Sequence, residues 1–333
     1  MMNKLHIFLF VFFLHAINAQ NCDQIDSKLV LDTNAGQIKG SCSCSDNGCV
    51  VSWLSVPYAQ APTNQNRFQA PKPVQAWSGI LDGTKKPSPC MHYTKYSRNE
   101  KFPYLKEEPS EDCLYLNIFM STKLLSQSSQ TFAILALFHG SLEGPMGSGL
   151  HNPTLFVLLN DIIVVTVSYR LDIFGFLHLI DKGQSIQGNQ GLLDQFTALK
   201  WINQNSAKFN ADSNRVTLMG SYSAAKLIGY HLIFRPSSDY FRNIILQNES
   251  PVNLAKNAMS SQLANSKAQF FAKQILGCKP GKLVSCLMHM SANSLITASK
   301  YFRANKLASD DQLTSMFLQN AFGPVVDAKM LQN

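Results

Sequence analysis

Leu114 to Met120 (LYLNIFM), Phe132 to Phe138 (FAILALF) and Ile162 to Val167 (IIVVTV) are apolar, β-branched or aromatic at both alternating positions. A strand with one wet face alternates polar and apolar residues. Runs without that alternation fit strands covered on both faces, as in a parallel sheet. Val216 to Met219 (VTLM) and Ile244 to Gln247 (IILQ) continue the series. Between these runs Leu192, Phe196, Leu199 and Ile202 recur at helical spacing, and Leu227, Ile228 and His231 begin another helix after Gly220. Strand–helix alternation of this kind predicts an α/β class, an open sheet with helices on both faces. Upstream, Thr33 to Gly40 and Cys49 to Pro57 read as short strands and a turn, and Pro57 to Pro73 as a Pro-rich connector. The polar stretch from Cys90 to Cys113, with Pro103 and Pro109, reads as a loop.

The start of the chain bears on its compartment. Met1 to Lys4 carry a positive charge, Leu5 to Phe13 are apolar, and the small residue Ala19 sits where a signal peptidase cuts. Residues 1–19 are therefore expected to be a signal peptide, residues 20–333 the domain, and the product secreted. The apolar run is too short to cross a ~30 Å bilayer, and Asp161 to Ile180 is interrupted by Arg170 and Asp172, so no membrane span is expected. All eight cysteines (Cys22, Cys42, Cys44, Cys49, Cys90, Cys113, Cys278 and Cys286) lie beyond residue 19. An even count in an exported chain points to disulfides. A metal site at Cys42, Cys44 and Cys49 is not expected: no histidine is near, and the spacing is uncommon for zinc.

With 45% apolar and 15% charged residues, the chain can bury a core. Its net charge is +8, but the Lys and Arg residues are scattered, with no run longer than Lys85-Lys86. That describes an ordinary solvated surface and not a nucleic-acid partner. Asn248-Glu249-Ser250 is an N-glycosylation pattern, expected to go unused because it follows an apparent buried strand and precedes Pro251.

Several longer segments carry a resemblance. Ser110 to Asn117 (SEDCLYLN), Gly188 to Gln195 (GNQGLLDQ) with Leu199, Trp201 and Ile202 behind it, Arg215 to Gly220 (RVTLMG) and Phe322 to Asp327 (FGPVVD) occur in this order. Together they resemble the type-B carboxylesterase and cholinesterase family, from about Val30 to the end. The resemblance implies an α/β-hydrolase fold with a mostly parallel central sheet and helices on both faces. It also implies that the C-terminal part, with the family's acidic and histidine triad members, is missing.

Ester hydrolysis on this fold needs a hydroxyl on a strained strand-to-helix turn, G-x-S-x-G, with a base, an orienting acid and an oxyanion hole. Here the turn reads Gly220-Ser221-Tyr222-Ser223-Ala224, so Tyr222 stands at the serine position and Ala224 at the second glycine. Ser223 would fall in the first turn of the helix, and the two serines are expected to cap it. The family's His-Gly-Gly-Gly oxyanion turn corresponds to His139-Gly140-Ser141-Leu142, followed by Glu143. Ser141 and Leu142 carry side chains where glycine gives freedom of φ. His139 is structural in the family. Lys226, where the family has small residues, suggests relaxed packing.

The resemblance further implies disulfides Cys90–Cys113 and Cys278–Cys286, and ion pairs Arg67–Glu111 and Arg170–Asp194. Cys22, Cys42, Cys44 and Cys49 are expected to form two more bonds, Cys22 with one of the other three, their connectivity open. Met91 to Asp112 contains no tryptophan, which leaves choline-ester specificity unsupported. The resulting expectation is that the chain is not an enzyme and needs no cofactor, and that it binds or adheres to a protein which no residue names. Alternatives are hydrolysis by a displaced serine and a non-functional product. Self-association through an open sheet edge is also expected.

Overall fold

The apolar runs meet as neighbours in one sheet. The computed structural model describes residues 22, 25–92, 108–127, 129–139, 152–249, 258–304 and 322–326. Its strands are β1 (Val30–Asp32), β2 (Gln37–Lys39), β3 (Ser41–Ser45), β4 (Gly48–Pro57), β5 (Ile80–Asp82), β6 (Tyr115–Ser121), β7 (Phe132–Phe138), β8 (Ile162–Val167), β9 (His178–Asp181), β10 (Gln184–Gln187), β11 (Ala211–Ser221) and β12 (Asn243–Gln247). The large sheet runs β3–β4–β6–β8–β7–β11–β12; β1, β2 and β5 form a small sheet, and β9 and β10 a hairpin. The sheet is mixed. It is parallel from β8 through β7 and β11 to β12, and antiparallel from β3 to β8.

The helices are α1 (Thr122–Ser126), α2 (Thr154–Leu159), α3 (Asp172–Phe176), α4 (Gln190–Asn205), α5 (Ser223–Gly229), α6 (Ser261–Phe270), α7 (Leu283–His289) and α8 (Ala292–Ala304). The α4 stripe Leu192, Leu199 and Ile202 is fully buried with Leu227 and Ile228 of α5. These residues share a core with Ile134, Ala136 and Phe138 of β7 and Val216 and Leu218 of β11. Each of these side chains other than Ala136 contributes about 1.5–3 kcal/mol on leaving water.

The opposite face has a smaller cluster in which Val157 of α2 meets Val50 and Val164. Leu135, Leu137 and Met219 point the same way but are only half-buried, and Ile245 of β12 is 43% exposed. The expectation that these strands are covered on both faces therefore holds only in part for β7, β11 and β12 among the described residues. Asn248, just past β12, is exposed, so the strand before the glycosylation pattern is not the buried one the sequence suggested.

Two ion pairs tie loops to this frame. Arg170 presents Nε and Nη2 to the two carboxylate oxygens of Asp194 at 2.7 Å each, and donates from Nη1 to the Gln69 carbonyl at 2.8 Å. Both partners are buried. Arg67 makes the same fork to Glu111, and its Nη1 donates to the carbonyls of Met288 and Met290 at the end of α7. A guanidinium matches a carboxylate in two bonds and keeps donors for carbonyls that end a helix.

Disulfides join Cys22 to Cys42, Cys44 to Cys49, Cys90 to Cys113 and Cys278 to Cys286. The Cα separations of the last two, 5.0 and 6.0 Å, are ordinary for the bond.

Removing one partner of a buried pair strands the other charge. Arg170→Met is therefore expected to cost about 3–5 kcal/mol in urea unfolding, whereas Lys123→Met, which breaks the exposed Lys123–Asp161 pair, costs under ~1 kcal/mol. Equal effects from the two substitutions would contradict this ranking.

Candidate functional site

β11 lies between two parallel neighbours and ends at the C-terminal edge of the sheet, the side on which open α/β sheets bind ligands. The chain turns there within one residue. Tyr222 has φ 52° and ψ −125°, and α5 begins at the next position. Its N–H donates to the Gln247 carbonyl at 2.9 Å, and its own carbonyl accepts from Lys226 N–H at 3.2 Å. Gly220 makes the turn possible. A Cβ there would sit 2.9 Å from the backbone of Ala224 and Ala225 and from Ile228. Ala224, by contrast, is fully buried with its methyl accommodated.

The Tyr222 ring projects into solvent, 61% exposed. With Leu135, Leu137, Val164, Met219 and Phe156 it lines a cavity of about 450 Å³ whose floor is the exposed side of β7, β8 and β11. Ser221 and Gln247 are among its few polar lining residues. Among the described residues this is the half-covered face of the sheet reaching up to the elbow, an apolar surface with polar groups at one end.

The expectation that Ser221 and Ser223 cap the helix needs correction. The N-cap position is Tyr222, whose side chain makes no capping bond, and Ser221 is the last residue of β11. Lys226 is half-buried, with Nζ 3.9 Å from Glu249, so the lysine has a carboxylate beside it. His139 is 1% exposed and stacks on Tyr169 with centroids 4.6 Å apart; Tyr169 Oη donates to the His139 carbonyl at 2.8 Å. Burial raises the Tyr169 phenol well above its ordinary value. Gly140, Ser141, Leu142 and Glu143 lie outside the described residues, as do residues 1–19 and Asp327.

His231, on the turn following α5, was not singled out for chemistry. It is buried between Gln195 Oε1 at 3.1 Å and Ser237 Oγ at 2.8 Å. Burial pulls it down to about 4, so the ring is neutral at physiological pH. It braces α4 against the chain after α5 and does not line the cavity.

Two outcomes follow from this geometry. Positive φ with extended ψ costs a residue bearing Cβ about 1–3 kcal/mol, and little contact is lost with an exposed ring. Tyr222→Gly is expected to gain about 1 kcal/mol in thermal unfolding, while Tyr222→Ala, which keeps the Cβ, does not. For His231 the folded value lies below the ordinary 6.5. Its contribution is therefore complete above pH ~6.5 and is lost as pH falls toward 4, by up to about 3 kcal/mol. His231→Gln should flatten the stability profile across that window, and an unchanged slope would contradict the assignment.

The carboxylesterase family model matches residues 27–333. Para-nitrobenzyl esterase of Bacillus subtilis (strain 168) is 31% identical over 89% of this chain and 57% of its own length. Juvenile hormone esterase of Tribolium castaneum is 30% identical over 93% of the chain and 52% of its own length. Thyroglobulin of Rattus norvegicus is 33% identical over 93% of the chain and 11% of its own length. The chain thus spans about half the length of the two esterases. The expectation that the chain is not an enzyme is overturned by these relatives, which are esterases at about 30% identity across nearly all of it. That expectation leaned on residue types at two turns and on an acid and a histidine taken to be missing, and a changed hydroxyl at one apex does not exclude ester chemistry from a whole chain. An elbow at the end of a central parallel strand, a family match over most of the sequence and these relatives agree: the chain belongs to the carboxylesterase family.

Proposed function

We propose that this is an exported carboxylesterase-family protein whose elbow cleft takes up the acyl part of an apolar ester. The observation that carries the reading is the cleft itself: an apolar floor of Leu135, Leu137, Val164 and Met219 ending at Ser221, Tyr222 and Gln247. An acyl chain loses water against that floor, and the polar end meets the ester. Tyr222 at the apex occupies the place from which the family's hydroxyl attacks, so the ring sets how deep the carbonyl can sit. Turnover of the bound ester would draw on another hydroxyl, and Ser221 and Ser223 flank the apex. Export rests on residues 1–19 and on the four disulfides. The outer strand β12, with Ile245 exposed, also offers an edge to a second copy of the chain.

The chain, expressed with its own first residues in a secreting cell, is expected in the medium. Binding of a hexanoate ester is then compared with binding of the acetate, and hydrolysis is followed in the same samples. Each added methylene brings up to ~0.8 kcal/mol, so hexanoate should bind at least about tenfold tighter, and Met219→Lys should remove that preference. Equal affinity for the two esters would sink the reading. Any turnover that persists in Ser221→Ala and in Ser223→Ala would exclude those hydroxyls as its source.

A further inference from the structure

The cysteines of the β3–β4 hairpin stand apart from the elbow. Cys44 and Cys49 are direct partners in the β3–β4 register, with Cα atoms 4.0 Å apart, closer than most bonded pairs. Cys42, two residues before Cys44 on the same face of β3, holds Cys22. The two bonds touch: Cys22 Sγ lies 3.2 Å from Cys44 Sγ, and the sulfurs of Cys22, Cys44 and Cys49 all fall within 4.8 Å of one another. Their sulfurs are all in disulfides, so they are not available as thiolate metal ligands. Cys44 is exposed, on a strand at the edge of the sheet, Cys22 and Cys42 are half-buried, and Cys49 is 9% exposed. Cys90 and Cys113, at 2% and 0%, are closed to solvent; Cys278 is 5% exposed and Cys286 half-buried.

We propose that Cys22, Cys42, Cys44 and Cys49 form a thiol–disulfide exchange site that takes a small thiol as its co-reactant. Exchange needs a thiolate, access to a disulfide sulfur, and a second sulfur close enough to accept the displaced one. An incoming thiolate attacks Cys22 Sγ, which is half-buried, forms a mixed disulfide and expels Cys42 as thiolate. Cys42 attacks Cys49 Sγ, forming Cys42–Cys49 and releasing Cys44. Cys44 thiolate then attacks its neighbour Cys22 Sγ, forming Cys22–Cys44 and returning the small thiol. Two bonds break and two form, no electrons are gained or lost, and the thiol's proton leaves and returns. The result moves the tether of the N-terminal segment two residues along β3, about 6.6 Å.

Cys42→Ser tests the joining of Cys22 to Cys44 without an added thiol. It leaves Cys22 as the free thiol against the Cys44–Cys49 bond. Attack of Cys22 on Cys44 Sγ passes the free thiol to Cys49. Alkylation with iodoacetamide followed by peptide mapping should therefore find label shifted from Cys22 to Cys49, and label on Cys22 alone overturns the proposal. The wild-type chain provides a second reading should the variant fold poorly. Reduced glutathione should add at Cys22 and yield a Cys42–Cys49 link, while Cys90–Cys113 and Cys278–Cys286 stay closed. Loss of all four disulfides together, or opening of Cys90–Cys113 first, counts against it.

Discussion

The guanidinium of Arg170 holds the molecule's parts in register. It sits just beyond β8 and binds Asp194 of α4 through two side-chain bonds and a third from its own N–H. The same side chain reaches the Gln69 carbonyl in the connector after β4. Its carbonyl is crowded on two sides: a Cβ at Gly175 would meet it at 2.3 Å and one at Gly191 at 2.5 Å. Those glycines bring α3 and α4 against the end of the strand. One buried ion pair and two missing side chains thus fix two helices and a loop around the C-terminal edge of the sheet. Asp194 also raises the buried Tyr58 phenol, after desolvation the next cause of that shift. Taking these charges from water is costly, so the geometry must be good for the pair to be tolerated.

The elbow depends on that frame. A residue with Cβ at φ 52° persists only where its surroundings over-determine it. Here β11 fixes one side, α5 the other, and Gln247 of β12 accepts the apex N–H. The conformation belongs to the fold and not to the side chain that occupies it, and here a tyrosine is held in it. Among the described residues the cleft next to it reflects an asymmetry of the sheet: α4 and α5 pack on one face, while α2 covers part of the other.

Stabilisation is spread unevenly along the chain. The Arg67–Glu111 fork links the segment after Cys90 to the end of α7, next to the Cys278–Cys286 bond. Asn189, at the start of α4, exchanges two side-chain bonds with the backbone of Val325. Phe271, Phe302 and Phe322 close the same region as an aromatic cluster, with centroids 5.2 to 6.0 Å apart. The β3–β4 hairpin adds two adjoining disulfides to the pairing of β4 with β6 and the burial of Val51 and Trp53.

The sequence by itself determined which segments become strands and helices. Phe132–Phe138 and Ile162–Val167 are strands over the same residues in the fold, because apolar runs of six or seven residues are short for a buried helix and long enough for a strand covered by its neighbours. It also carried the family and the position of the elbow, since Gly220 and the motifs around it are local patterns. It could not decide how fully each face is covered: a half-exposed Leu137 and a buried Phe138 are equally apolar, and only the placement of α2 tells them apart. Nor could it pair the hairpin cysteines, because Cys42, Cys44 and Cys49 are all within reach of Cys22 until the β3–β4 register places Cys44 opposite Cys49. His231 shows the same limit. Its neutral state follows from Gln195 and Ser237 closing around it, from six residues ahead in the chain and from thirty-six behind, and no window of sequence contains that burial.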